Sequence, residues 1–369
     1  MAEPLASFKT GIMETISTVN MWSGGQAAAG GREDFNESLL PFPMPVNPFN
    51  YSFELPFERD FDVLDGTIWM WNHWHRSFLI SLIYVLLIHA LQRWMRDRPA
   101  LRLDQPLQAW NLALALFSIM GCVRMTPEFV HALLGESFHY SICNASFAAG
   151  VSGYWTEKFA FSKFVELGDT FFIVLRKRPL IFLHWYHHIS VMAYTWHAYK
   201  DHTAGGRWFV WMNYTVHSFM YTYYTLRALK VRFPKWSAMA ITGLQLSQMV
   251  MGLAVNLSSL VIKLYGGQCQ QTWNNLYFAL GMYLSYFLLF ANFFWHTYMK
   301  KNNRYALQNA RTAAKKVAAL GDAGDDKAAA SGDGSPAPPG SGAPLRQDCG
   351  SDADSGSSVA KRRVAPTAT

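Results

Sequence analysis

Between residues 77 and 94 the chain runs SFLISLIYVLLIHALQRW, with Arg93 its one charged residue. That is close to the ~20 apolar residues that cross ~30 Å of hydrocarbon at ~1.5 Å per residue. In lipid a backbone must satisfy its own polar groups, so such a run is restricted to a helix. Six further segments are compatible with the same solvent: 106–123, 158–175, 180–199, 208–226, 237–262 and 273–299. The expected fold is therefore an all-α membrane protein, a bundle of about seven transmembrane helices. Composition agrees, because only 15% of the residues are charged, against roughly 25% in an average soluble protein. The expected organisation is an N-terminal segment over 1–65, a membrane domain over 66–304, and a disordered tail over 305–369 rich in Ala, Gly, Ser, Pro and Asp. The first residues lack the pattern of a cleavable signal, so the first apolar run has to serve as the anchor.

The net charge of +7 does not describe a nucleic-acid surface, because the basic residues gather at the ends of apolar runs. Arg93, Arg96, Arg98 and Arg102 follow the first run, and Arg176, Lys177 and Arg178 the third. Arg227, Lys230, Arg232 and Lys235 follow the fifth, and Lys300, Lys301 and Arg304 the seventh. Basic loops stay cytoplasmic, which puts the N-terminus in the lumen and the C-terminus in the cytoplasm. Cys143 and Cys269 then both fall in luminal connections, where they form either a disulfide or two free loop thiols. Cys122, in an apolar run, and Cys349, in the tail, are expected to be reduced. Glycosylation candidates on the luminal side are Asn36, Asn50 and Asn144. Four Cys with no close pair exclude a Cys-rich zinc module or a CxxC redox site.

Four of the apolar segments carry polar stripes. His184, His187 and His188 share one helix face within ~100°. Lys163, Glu166, Asp169 and Thr170 share another, as do Asn213, His217, Tyr221 and Tyr224, and Thr242, Gln245 and Gln248. Unpaired polar groups are costly in hydrocarbon, so the four faces are expected to converge on one chamber opening toward the cytoplasm. Two chemistries suit the imidazoles. One is metal ligation, as in a membrane di-iron oxidoreductase built from histidine boxes, or a mononuclear zinc site. Di-iron sites, however, draw on several such boxes, and here there is one. The other is metal-free, with histidine as nucleophile and base. A non-catalytic seven-helix transporter or receptor is the remaining alternative.

KFVELGDT (163–170), HWYHH (184–188), NYTVHSFMYTYY (213–224) and TGLQLSQ (242–248), in this order, resemble the motifs of the membrane fatty-acid elongases, the very-long-chain 3-ketoacyl-CoA synthases. The likeness spans roughly 101–304 and includes PLQAWNLALALFSIMG and the GGQCQ loop. Trp185 within HWYHH, together with the two cysteine loops, is most similar to the elongases of saturated and monounsaturated chains. The resemblance implies an acyltransferase of fatty-acid biosynthesis, multi-pass in the endoplasmic reticulum membrane. Its substrates would be acyl-CoA and malonyl-CoA, and it would use no further cofactor or metal. The products would be 3-ketoacyl-CoA, carbon dioxide and CoA. A ketoacyl reductase, a dehydratase and an enoyl reductase would complete the cycle as partners.

It also implies that His184, His187, His188 and His217 are catalytic; the mechanism expected from their chemistry is an acyl-imidazole on His187 or His217, with His184 and His188 positioning or deprotonating. Lys163, Glu166 and Asp169 would form a charged network orienting them, and Asn213, Tyr221 and Gln245 would be oxyanion donors. Tyr224 and Gln248 complete the supporting set. Arg176, Lys177, Arg178, Lys230 and Lys235 are candidates for the CoA phosphates. The acyl tunnel is expected to close near residues 261–263.

Overall fold

The structure is a computed structural model that describes residues 35–300. Residues 1–34, Lys301, Arg304, Cys349 and the tail over 305–369 lie outside the described residues. Within them every regular element is helical. After one turn at Pro56–Arg59 come α1 (Val63–His73), α2 (Arg76–Trp94), α3 (Asp104–Val130), α4 (Phe138–Cys143), α5 (Gly150–Val165) and α6 (Gly168–Leu175). They are followed by α7 (Phe182–Lys200), α8 (Gly206–Ala228), α9 (Lys235–Leu264) and α10 (Trp273–Phe294). Separately, Trp295–Met299 forms a π-helical turn.

Helices thus occupy all seven expected positions, but with different solvents. Among the described residues four stretches are long and apolar enough to cross a membrane: Arg76–Trp94, Asp104–Glu136, Trp236–Leu264 and Trp273–Met299. On α2 the exposed residues Leu79, Leu82 and Leu86 recur at helical spacing, the mark of a lipid-facing stripe. α5 to α8 carry three of the four polar stripes and bury them, and α9 carries the fourth.

The third expected segment, 158–175, is two helices. Gly150, at φ 63°, opens α5 earlier than expected. The chain then loosens at Glu166 and Leu167, where Asp169 N–H bonds Glu166 O and Thr170 N–H bonds Leu167 O, three residues back instead of four. Packing explains the break. The Trp110 indole of α3 lies against Gly168, where a Cβ would approach ring carbons at 2.6 Å and 2.8 Å. The second segment is longer than its expected 106–123. Pro127 sits inside α3, and the helix widens into a π-turn over His131–Glu136, the local adjustment that accommodates a missing N–H. At the arginine-rich end α6 and α8 stop on left-handed residues, Lys177 (φ 52°) and Lys230 (φ 67°).

Opposite that end the connections are clamped together. Arg207 is fully buried, and its guanidinium meets both Glu128 carboxylate oxygens from Nε at 3.1 Å. Nη1 donates to the carbonyls of Ser141 and Asn144 at 2.9 Å, and Nη2 to Ser146 Oγ at 2.7 Å. Cys143 and Cys269 are joined by a disulfide. Between them Gln270 N–H donates to Cys143 O at 2.9 Å, Gln270 O accepts from Ala204 N–H at 2.8 Å, and Gln270 Oε1 accepts from Ala145 N–H at 2.6 Å. Three connections are thereby tied into one. Outside this clamp Glu58 is buried and takes hydrogen bonds from Arg124 Nε, Trp155 Nε1 and Leu55 N–H. Burial would raise its pKa, but these donors hold the carboxyl below its usual value.

Removing one partner of a fully buried ion pair leaves an uncompensated charge, which costs about 3–5 kcal/mol. Arg207→Met is therefore expected to lower the unfolding midpoint of the detergent-purified protein sharply. Pairing it with Glu128→Leu should recover most of the loss. Equal midpoints for wild type and Arg207→Met, followed by tryptophan fluorescence, would show that the clamp contributes little.

Candidate functional site

The polar stripes of α5, α6, α7 and α8 meet between the helices. Lys163, near the end of α5, is fully buried, and its ammonium donates to Glu166 Oε1 at 2.6 Å and to Asn213 Oδ1 of α8 at 2.9 Å. With the amide oxygen so used, Asn213 Nδ2 is the donor to His217 Nε2 at 3.2 Å. That leaves the proton on His217 Nδ1, which lies 3.8 Å from Glu166 Oε1. Lysine, glutamate, asparagine and histidine thus form a closed chain, with Glu166 Oε2 buried and lacking a hydrogen-bond partner.

A second chain begins one turn further on. Asp169 of α6 accepts from Trp110 Nε1 at 2.6 Å and from Tyr221 OH at 2.7 Å. Thr170 Oγ1 bridges Tyr84 OH at 2.5 Å and His184 Nε2 at 2.9 Å. The three imidazoles of α7 follow one another along the helix, with ring centroids 4.5 Å apart for His184 and His188 and 5.5 Å for His187 and His188. His188 Nδ1 is buried without a partner. His187 is only half-buried, and its ring lies 5.0 Å from the Tyr286 ring of α10, tilted by 50°. It lies within electrostatic reach of both His217 and Glu166. Tyr286 OH is tethered by Ser190 Oγ at 2.6 Å and donates to the His187 carbonyl at 3.3 Å.

Other candidates stand further out. Gln245 Nε2 rests on Met220 Sδ at 3.2 Å, a weak acceptor. Gln248 is hydrogen-bonded to the Tyr283 hydroxyl. The Tyr224 ring lies 6.3 Å from that of Tyr221. Arg176 meets Asp104 at 3.4 Å and Lys177 donates to Arg96 O. Arg178 and Lys230 are exposed at the same end, where Lys235 opens α9. Asn36 and Asn50 are exposed, whereas Asn144 belongs to the Arg207 clamp, with its Oδ1 on Ser146 N–H. Among the described residues no three of His, Cys, Asp or Glu are grouped as a metal-ligand set. The one free cysteine described, Cys122, contacts Thr215 Oγ1 at 3.3 Å.

A cavity of ≈ 40 Å³ lies beyond the histidines toward the disulfide end, walled chiefly by apolar side chains of α5, α7 and α8, among them Phe159, Phe209 and Val210. Residues 261–263 are placed elsewhere: Val261 is exposed and Lys263 Nζ bonds Gln271 O. Sequence reasoning also passed over Trp110, Tyr84 and Tyr286. Their one available signal was a polar handle within an otherwise apolar run.

Known proteins carry the same core. The GNS1/SUR4 (ELO) family model matches residues 69–306. The chain is 60% identical over 258 residues to a Caenorhabditis elegans protein named putative fatty acid elongase 3, covering 69% of this chain and 81% of the relative. It is 44% identical over 265 residues to very long chain fatty acid elongase 6 of Drosophila melanogaster, covering 71% and 84%. The human protein of that name is 43% identical over 249 residues, covering 67% and 94%. This multi-pass membrane protein, with its histidines gathered among buried charges, belongs to the ELO family of fatty acid elongases.

Proposed function

We propose that the chain is a 3-oxoacyl-CoA synthase, the condensing enzyme that joins a long-chain acyl-CoA to malonyl-CoA. The observation that carries this reading is the position of His187, partly exposed among buried imidazoles, with no hydrogen bond from any described residue holding its ring and with His217 and Glu166 in electrostatic reach. His217 is committed to Asn213 through Nε2, so His187 is the better nucleophile. In the first stage a His187 lone pair attacks the thioester carbonyl and the carbon–sulfur bond breaks. The imidazole proton leaves with the sulfur as free CoA. In the second stage the bond between malonyl C2 and its carboxylate breaks, releasing carbon dioxide. The electron pair left on C2 attacks the acyl carbonyl, the carbon–nitrogen bond breaks, and the imidazole takes a proton from water.

The other residues serve as positioning groups. Lys163, Glu166 and Asn213 orient His217, Thr170 fixes His184, and Trp110 and Tyr221 hold Asp169. Gln245, resting on a thioether, is the amide most easily redirected to a developing oxyanion. Seven spans, with the N-terminus luminal and the C-terminus cytoplasmic, put the arginine-rich end beside cytoplasmic CoA thioesters. Arg176, Lys177, Arg178, Lys230 and Lys235 would meet their phosphates. The setting is the endoplasmic reticulum membrane, with the ketoacyl reductase, dehydratase and enoyl reductase as neighbours.

The test is formation of carbon dioxide and 3-ketoacyl-CoA by purified, metal-free protein. His187→Ala is expected to abolish both, and His217→Ala to lower them about 10²–10⁴-fold. Acyl-CoA alone should release one equivalent of CoA and leave a hydroxylamine-sensitive acyl group on the peptide containing His187. A requirement for iron and dioxygen, or undiminished activity in the His187 variant, would overturn the reading in favour of a histidine-box oxidoreductase or a non-catalytic role. Asp169→Asn, which turns one acceptor oxygen toward its two donors into an amide, should lower kcat with little change in the KM for malonyl-CoA.

A further inference from the structure

Since no hydrogen bond from a described residue holds the His187 ring, its orientation has to come from packing. Two rings lie against it. His188 meets it edge-on, at 5.5 Å and 80°, and Tyr286 of α10 lies at 5.0 Å, tilted by 50°. His188 is its neighbour on α7, so Tyr286 is the ring contact that tertiary structure supplies. Tyr286 is 2% exposed, and its hydroxyl is tied down. Ser190 Oγ spends its own proton on Tyr186 O at 2.5 Å, so it accepts from Tyr286 OH at 2.6 Å. The same hydroxyl also points at the His187 carbonyl, at 3.3 Å.

A second bond of the same kind runs the other way. Ser285 Oγ of α10 donates to Met282 O at 2.7 Å, which leaves it to accept from Tyr186 OH of α7 at 2.9 Å. Each helix thus gives a tyrosine proton to a serine of the other, which fixes both the rotation and the axial position of α10 against α7. The Tyr286 ring is held from both sides of the seam, and the imidazole beside it has little room to turn. Positioning by a ring also suits the chemistry. A hydrogen bond from the protein would occupy one of the imidazole nitrogens, as it does in His184 and His217. Acyl transfer needs both nitrogens of His187, one to attack the thioester and the other to give up its proton. A ring contact restricts the imidazole and leaves both of them unengaged.

We propose that Tyr286, pinned by Ser190, is a positioning residue that aims the His187 imidazole at the thioester carbonyl. The proposal rests on the condensation reading above. Its test is the single-turnover release of CoA from acyl-CoA by the full-length purified protein, measured beside the KM for malonyl-CoA. Tyr286→Leu, which removes the ring, should slow this acylation step about 100-fold, the scale on which a misplaced reacting group loses rate. Tyr286→Phe keeps the ring and loses only the tether, and should slow it about 5-fold. Adding Ser190→Ala to Tyr286→Phe should cost little more, because both remove one bond. The KM for malonyl-CoA should stay within about 2-fold of wild type throughout. Acylation at the wild-type rate in Tyr286→Phe, or a Phe variant as slow as the Leu variant, would overturn the proposal alone. So would a matching rise in the KM for malonyl-CoA, the sign of general damage to the site. Should Tyr286→Leu not fold, the two tether variants decide the matter on the same criteria. A wild type that releases no CoA from acyl-CoA, or releases it equally well after His187→Ala, would overturn the condensation reading and the proposal with it.

Discussion

The Lys163–Glu166 ion pair is the contact around which the interior is arranged. Both groups are buried, and the cost of taking them from water is offset by the partners that each finds, although Glu166 Oε2 has none. Asn213 supplies one on α8 and His217 a second, so the pair dictates that α5 and α8 meet at this depth. Glu166 reaches it because it sits where the chain loosens between α5 and α6. Trp110 against Gly168 maintains that break and offers its indole N–H to Asp169. One packing contact thus separates the two carboxylates into distinct hydrogen-bond chains, one serving His217 and the other lying beside Thr170 and His184.

Around this interior the helices divide the work. α2, α3, α9 and α10 are apolar enough to meet lipid with little help, and they contribute polar groups inward, among them Tyr84, Trp110, Gln245, Gln248 and Tyr286. α5 to α8 are too polar to stand alone in hydrocarbon and are stable there because they face one another. The imidazoles therefore lie among fixed dipoles, where small differences in partners hold each histidine differently. His184 is held by Thr170 and His217 by Asn213, while the ring of His187 has no hydrogen bond holding it.

How far the sequence discloses this depends on the period of each pattern. The His184–His188 and Asn213–Tyr224 stripes repeat at helical spacing and are written in residues too costly to leave facing lipid, so helix type, face and inward orientation were all legible. The break at Glu166 was not, because it is set by Trp110, far away in the chain. Gln245 belongs to a polar stripe, but its amide meets Met220, a partner that no spacing rule selects. The tyrosine of α10 beside His187 resembles any interfacial aromatic until the fold brings it alongside. The cavity bordered by Phe147, Ala148, His202 and Thr203 was not legible either, because that part of its wall comes from the short connections after α4 and α7, whose conformation follows from Arg207 and Gln270 and not from local preference.

The disulfide has a consequence for how the molecule is made. Cys143 and Cys269 are 126 residues apart, and Cys269 precedes only the last helix of the described bundle. A chain emerging from the ribosome will have delivered α5 through α9, with all four histidines, before its second thiol exists. The joint that ties these connections together is therefore among the last to be made. Its formation separates a finished molecule from a nascent one whose helices and histidines are already delivered but whose connections at that end are still untied.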